Sequence, residues 1–208
     1  RRDTVLKVSL TIHSKICLKG VKMKILDVIR QSADLLGLDT ERDLLSEAEE
    51  SDETSLLENA KIAQLFNLLK FSIQELCANH LFYYVYQDFT TSNKKFSLST
   101  LTNYLKTDAV YRGENKVKFR IFNRHLLLNE DGNYTIKYSS YPSINSIFDD
   151  VDFVTSISID VMVYGLCAYY CLANGMFEDF DSYYDKYISK ANALKEMKIF
   201  DLPTRSWQ

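Results

Sequence analysis

Cys167 and Cys171 stand four apart in "CAYYC", a spacing that puts two thiols on one helical face and supplies half of a zinc site. A structural zinc needs about four nitrogen or sulfur ligands, and no nearby His or Cys completes the set. The pair therefore reads as two small apolar side chains of a buried helix. His13, His80 and His125 share no catalytic or ligating spacing. A Gly-rich phosphate loop, a nucleophile elbow and an HExxH helix are all absent from the sequence. "NEDGN" (129–133) begins like a calcium loop but lacks the later alternating oxygens and the closing Glu, so it reads as a turn. Asp149, Asp150 and Asp152 crowd a linker, where solvation and helix capping account for them without general acid–base work. No catalytic, cofactor-binding or metal residue is expected, and the chain is read as a non-enzyme.

One charged constellation is different. Lys116, Lys118, Arg120 and Lys137 fall on one face of an expected β-hairpin. Such a stripe can contact phosphates, or it can pair with acidic segments of its own or a neighbouring subunit. The second option is preferred, because base-stacking aromatics do not evidently share that face.

The elements that must position these residues follow from periodicity. The chain has 208 residues, 46% hydrophobic and 25% charged, with 14 Tyr and 12 Phe against 6 Gly and 2 Pro. Few breakers imply long regular elements, and many aromatics imply extensive packed surfaces, between subunits as well as within one. A formal net charge of -3 gives no general attraction to nucleic acid or anionic lipid. Four cysteines without a framework (Cys17, Cys77, Cys167, Cys171) suit reduced thiols, and no apolar run approaches the roughly 20 residues that span a bilayer.

The expected fold is α+β, mainly α: a bundle of about four helices with an inserted antiparallel β-hairpin or small sheet. Helices are placed at about 24–37, 55–80, 156–173 and 177–198, with β structure over about 82–141. In the first, Ile25, Val28, Ile29, Ala33 and Leu36 share a face and Gly37 stops it. Residues 39–54 are acidic and read as a solvated loop with a short helix at its start. Ser55 and Glu58 read as a capping box opening the second helix. "KVKFRIFN" and the following "HLLL" read as one alternating strand, with 134–138 returning beside it. The helix near 156–173 is apolar around its whole circumference, which requires burial on more than one side, at a bundle centre or a subunit contact. Asn174-Gly175 ends it, and the last helix turns Phe177, Phe180, Tyr184, Tyr187, Ile188, Ala191 and Leu194 inward.

Residues 1–22 are basic, begin with Arg1 and resemble a transit peptide only weakly. Codons compatible with "KGVKM" include a purine-rich ribosome-binding site ahead of Met23. Met23 is therefore expected as the native start in a bacterial or phage gene, with 1–22 a translated leader rather than a genuine arm. Residues 23–200 form a single α+β domain and 201–208 a tail.

The order of elements, with "YTIKYSSYPS" followed by "DVMVYGLCAYYCLANGMFEDFDSYYDKY" and an opening "MKILDVIRQSADLLGL", resembles the head–tail connector or adaptor proteins of tailed bacteriophages. The resemblance covers most of 23–198 and is one of pattern. Only the Tyr138–Pro142 strand end and the Ala168–Gly175 helix end match residue by residue. It implies a virion neck protein, assembled in the host cytoplasm as a ring of about twelve copies. The ring joins portal to tail or next neck protein, with DNA only as passing cargo and no membrane. Val161, Tyr164, Tyr169, Tyr138 and the tail residues Arg205 and Trp207 are the expected subunit or partner contacts. The other reading is a soluble bacterial cytosolic binding or regulatory module acting through the basic hairpin face.

Overall fold

The computed structural model describes residues 22–81, 83–153 and 157–196. The expected leader, Lys22 excepted, and the tail with Arg205 and Trp207 lie outside the described residues.

The helical part is built around one stripe per helix. In α1 (Ile25–Leu35), Ile25, Val28, Ile29, Ser32 and Ala33 are buried at helical spacing. Its end is a left-handed stop: Gly37 takes φ 67°, and Leu38 N–H donates back to the Ala33 carbonyl at 2.9 Å. Helix α2 (Asp39–Ser46), a 3₁₀ turn at Glu50–Asp52 and α3 (Glu53–Glu58) occupy the acidic stretch. Helix α4 (Ala60–Asn79) buries Ile62, Leu65, Phe66, Leu69, Ile73, Leu76 and Cys77. Helices α5 (Ile159–Ala173) and α6 (Phe177–Glu196) form an antiparallel hairpin around Gly175, whose φ is 74°. α5 packs against α1, α4 and α6 together, so its apolar surface is covered by its own chain except at the Leu172 end. Gly165 lets it approach α4: a Cβ there would meet Ser72 Oγ at 2.6 Å. A two-stranded ribbon of β1 (Lys22–Lys24) and β9 (Asp150–Asp152) flanks the bundle, with Met23 opposite Val151.

Between α4 and α5 the chain builds a β-module. One sheet has the order β2-β8-β4-β5, from Tyr83–Thr91, Gly132–Ser140, Lys106–Arg112 and Asn115–Val117. The other has the order β3-β7-β6, from Lys95–Ser97, His125–Leu127 and Arg120–Phe122. β2 and β8 pair antiparallel over their full nine residues. Phe89, Val110, Tyr134, Ile136 and Tyr138 from the first sheet enclose a core with Leu126 of the second and with Leu98, Leu101 and Leu128. This core is separate from the one the helices and the β1–β9 ribbon share.

The expected four-helix bundle with one hairpin is therefore overturned. Among the described residues there are six helices and three sheets, a mixed α+β fold. Three local misreadings explain it. Ser55 does not cap a long helix: its hydroxyl donates to the Asp52 carbonyl at 2.8 Å, and the helix breaks at Asn59. Asn59 then caps α4 by accepting from the N–H groups of Lys61 (3.0 Å) and Ile62 (3.3 Å). The run 116–128 is three strands rather than one, because Asn123 and Arg124 take φ of 47° and 58° and fold the chain back in a two-residue turn. β4 lies inside the β region expected over about 82–141, where no individual strand was expected at 106–112. In α6, Phe177 faces solvent, 64% exposed, against the inward placement expected for it.

Candidate interaction groove on the β-module

β5 and β6 are edge strands of different sheets, joined through Lys118 and Phe119. Between them lies an open groove of about 810 Å3 lined by residues 116–120 and 127–129. Its floor is apolar, from Val117, Phe119, Leu127 and Leu128, and its rim carries the exposed Lys116, Lys118 and Arg120. Beside it, β6 displays Ile121 at 48% and Phe122 at 66% exposure. Ile121 lies opposite Leu126, which is fully buried; the same sheet face is core on β7 and open on the edge strand.

Three of the four basic residues read from the sequence thus converge. Lys137 does not join them. It sits on the central strand β8, its Nζ 3.0 Å from Asp108 Oδ2 and 3.8 Å from the Tyr84 ring centroid. Burial works against its charge, but the Asp108 carboxylate and nearby Tyr86 outweigh that and raise its pKa. Next to the groove, Arg112 pairs with Glu130 and lies over the Tyr134 ring at 5.9 Å. Lys116, Lys118 and Arg120 have no ion-pair partner among the described residues.

The expected partner contacts divide in the same way. Val161 is buried in the helical core and Tyr138 in the β-module core, so neither presents a surface. Tyr164 is half-buried, stacked on Tyr183 at 6.4 Å with Lys186 and Lys190 near its ring. Tyr169 is half-buried in an aromatic seam, edge-on to Phe71 at 5.0 Å, and Phe71 is 51% exposed. The seam continues through Tyr187 and Tyr184 to Phe180. Beneath it, Glu75 accepts from the Tyr187 hydroxyl and from Asn79 Nδ2 (2.8 Å), with His80 Nε2 3.8 Å away. Burial, reinforced by Glu75, raises the Tyr187 and Tyr169 pKa values and holds both phenols neutral.

The remaining sequence candidates are placed structurally. Cys167 Sγ lies 3.8 Å from the Ser32 carbonyl oxygen, and burial pushes the Cys77 and Cys167 thiols up to about 12. Asp149 caps its linker, accepting from the N–H groups of Asn145 (2.8 Å) and Ser146 (3.0 Å). His125 Nδ1 is 2.7 Å from the Asn123 carbonyl oxygen inside the β6–β7 turn. No group of His, Cys, Asp and Glu among the described residues is arranged to hold a metal ion. No helix among them is long and apolar enough to cross a membrane.

Two features were not legible in the sequence: the groove's apolar floor, with Phe119 between Lys118 and Arg120, and the exposed Phe177 corner. The alternation across 116–122 was the available signal, but read as a paired strand it assigned the apolar residues to a core. No family model and no curated protein matches this chain.

Proposed function

We propose that this chain is a non-catalytic assembly protein, a ring protomer of the head–tail connector type that joins portal to tail in a tailed phage and passes DNA through its axis. The observation that carries this reading is the division of labour in the fold. α5 is covered by α1, α4 and α6 up to its last turn, while apolar and charged side chains are left outward on the groove and on the α5–α6 corner. A ring protomer needs a self-contained core and two distinct lateral surfaces. Sedimentation velocity across rising concentration tests the reading, with negative-stain electron microscopy of the largest species. Closed rings with an axial opening that admits duplex DNA are expected. A chain that stays monomeric to its solubility limit overturns it.

The three unpaired cations on the groove favour a second reading, a soluble binding module that holds one anionic partner there. It predicts a one-to-one complex and no self-association at any concentration.

A further inference from the structure

We infer that the β-module groove takes the α5–α6 corner of a second copy of this chain, in a head-to-tail contact. The inference rests on the assembly reading above and adds which two surfaces meet.

At the corner, Gly175 turns the chain and leaves Leu172 (44%), Met176 (38%) and Phe177 (64%) exposed. The first turns of α6 follow with Glu178, Asp179 and Asp181, all exposed. These three acids have no cationic partner among the described residues, just as Lys116, Lys118 and Arg120 have no acidic one. Other charges nearby are neutralised within the chain: Arg112 by Glu130, Lys137 by Asp108, Lys190 by Asp160. Three unpaired cations thus line the groove rim and three unpaired acids open α6, and each set borders exposed apolar side chains.

The groove volume of about 810 Å3 admits the Met176 and Phe177 side chains onto the apolar floor, with the acids reaching the basic rim. Duplex DNA would satisfy the rim but leave the floor, Ile121 and Phe122 uncovered, and the chain's net charge of -3 opposes it. Each copy offers its groove to one neighbour and its corner to another, so the contact is heterologous and closes into a ring or runs on as a filament.

Charge reversal with exchange tests it. The groove variant carries Lys116→Glu, Lys118→Glu and Arg120→Glu; the corner variant carries Glu178→Lys, Asp179→Lys and Asp181→Lys. All six sites are exposed, and circular dichroism checks that both variants fold. Each variant alone juxtaposes like charges and is expected to weaken self-association by about 100-fold or more. An equimolar mixture restores complementarity at both contacts and is expected to recover assembly with the two variants alternating. Phe177→Ser, which leaves the charges intact, is expected to weaken assembly without rescue by mixing. Variants that associate like wild type, or a mixture that does not recover, overturn the contact and leave the assembly reading standing. A wild-type chain that never associates overturns both. A duplex oligonucleotide whose steeply salt-dependent binding is lost only in the groove variant, with self-association unchanged, makes the groove a phosphate site and overturns the contact.

Discussion

Gly165→Ala tests how closely α4 and α5 approach. A Cβ at this position would stand 2.6 Å from Ser72 Oγ and 3.1 Å from Cδ2 and Cε2 of Tyr187. Ser72 and Tyr187 are both 0% exposed, and Tyr187 is tethered through its hydroxyl to Glu75, so the ring has nowhere to go. Ala in place of Gly inside a helix is worth about 1 kcal/mol in propensity. Overpacking a closed core costs about 1–3 kcal/mol, and contacts far inside the ordinary separation of about 3.5 Å place this site at the upper end. The net expectation is a loss of about 1–2 kcal/mol, which lowers the thermal midpoint by about 4 °C in a chain of this size. The Ser72 hydroxyl has no hydrogen-bond partner among the described residues. Ser72→Ala therefore removes an unsatisfied buried group and is neutral or slightly stabilising. In the double variant the worst overlap disappears, so the two changes couple favourably by at least about 0.5 kcal/mol. Urea denaturation of the four proteins, followed by circular dichroism, measures the cycle. A single Gly165→Ala variant that is stabilised by its full propensity gain would refute the close approach.

Three further outcomes follow from the same geometry. Asn59→Ala removes the side chain that accepts from Lys61 and Ile62 and is expected to cost about 1 kcal/mol by urea denaturation, whereas Ser55→Ala costs less than half of that. Tyr187→Phe withdraws a donor from the partly buried Glu75 carboxylate and is expected to cost about 1–2 kcal/mol; a neutral result would mean that Asn79 and water suffice. Cys77 and Cys167 are held up to about 12, above the usual thiol value near 8.5. Above that value the unfolded chain binds fewer protons than the folded one. Their contribution is therefore complete below about pH 8.5 and is lost as pH rises toward about 12. Urea midpoints that stay level through pH 10 in wild type, matching a Cys77→Ala/Cys167→Ala variant, would sink this.

The helices were legible because their signal is local. Ile25, Val28, Ile29 and Ala33, or Ile62 through Cys77, repeat every three or four residues, and each stripe meets the core directly. The breaks were less so. Ser55 and Asn59 are both competent caps, and the α3 turn that carries Ser55 is held by a distant contact, Ile147 N–H donating to Glu53 (2.9 Å) across 94 residues of sequence. That contact is tertiary and leaves no local trace. The all-round apolar character of α5 was read correctly as a demand for burial on several sides. Periodicity could not say whether its own bundle or a partner would meet it; α1, α4 and α6 do.

The groove was half legible for a related reason. Alternation fixes which side chains share a sheet face but not whether anything lies across from that face. Ile121 and Leu126 are neighbours on one face of one hairpin, yet Leu126 is fully buried and Ile121 is 48% exposed, because β6 is the last strand of its sheet. The basic residues were visible at once, since charge needs no partner to be recognised. Lys137 left the group because β8 is a central strand, where a lysine must find a carboxylate and an aromatic face rather than solvent. An edge strand is thus where an apolar residue can remain outward without cost to its own core. If the contact proposed above is right, Ile121→Asp will leave the folded monomer's stability within about 0.5 kcal/mol of wild type. It will still weaken assembly, because the face it marks is completed only by another molecule. A large loss of monomer stability would instead place Ile121 in this chain's own core.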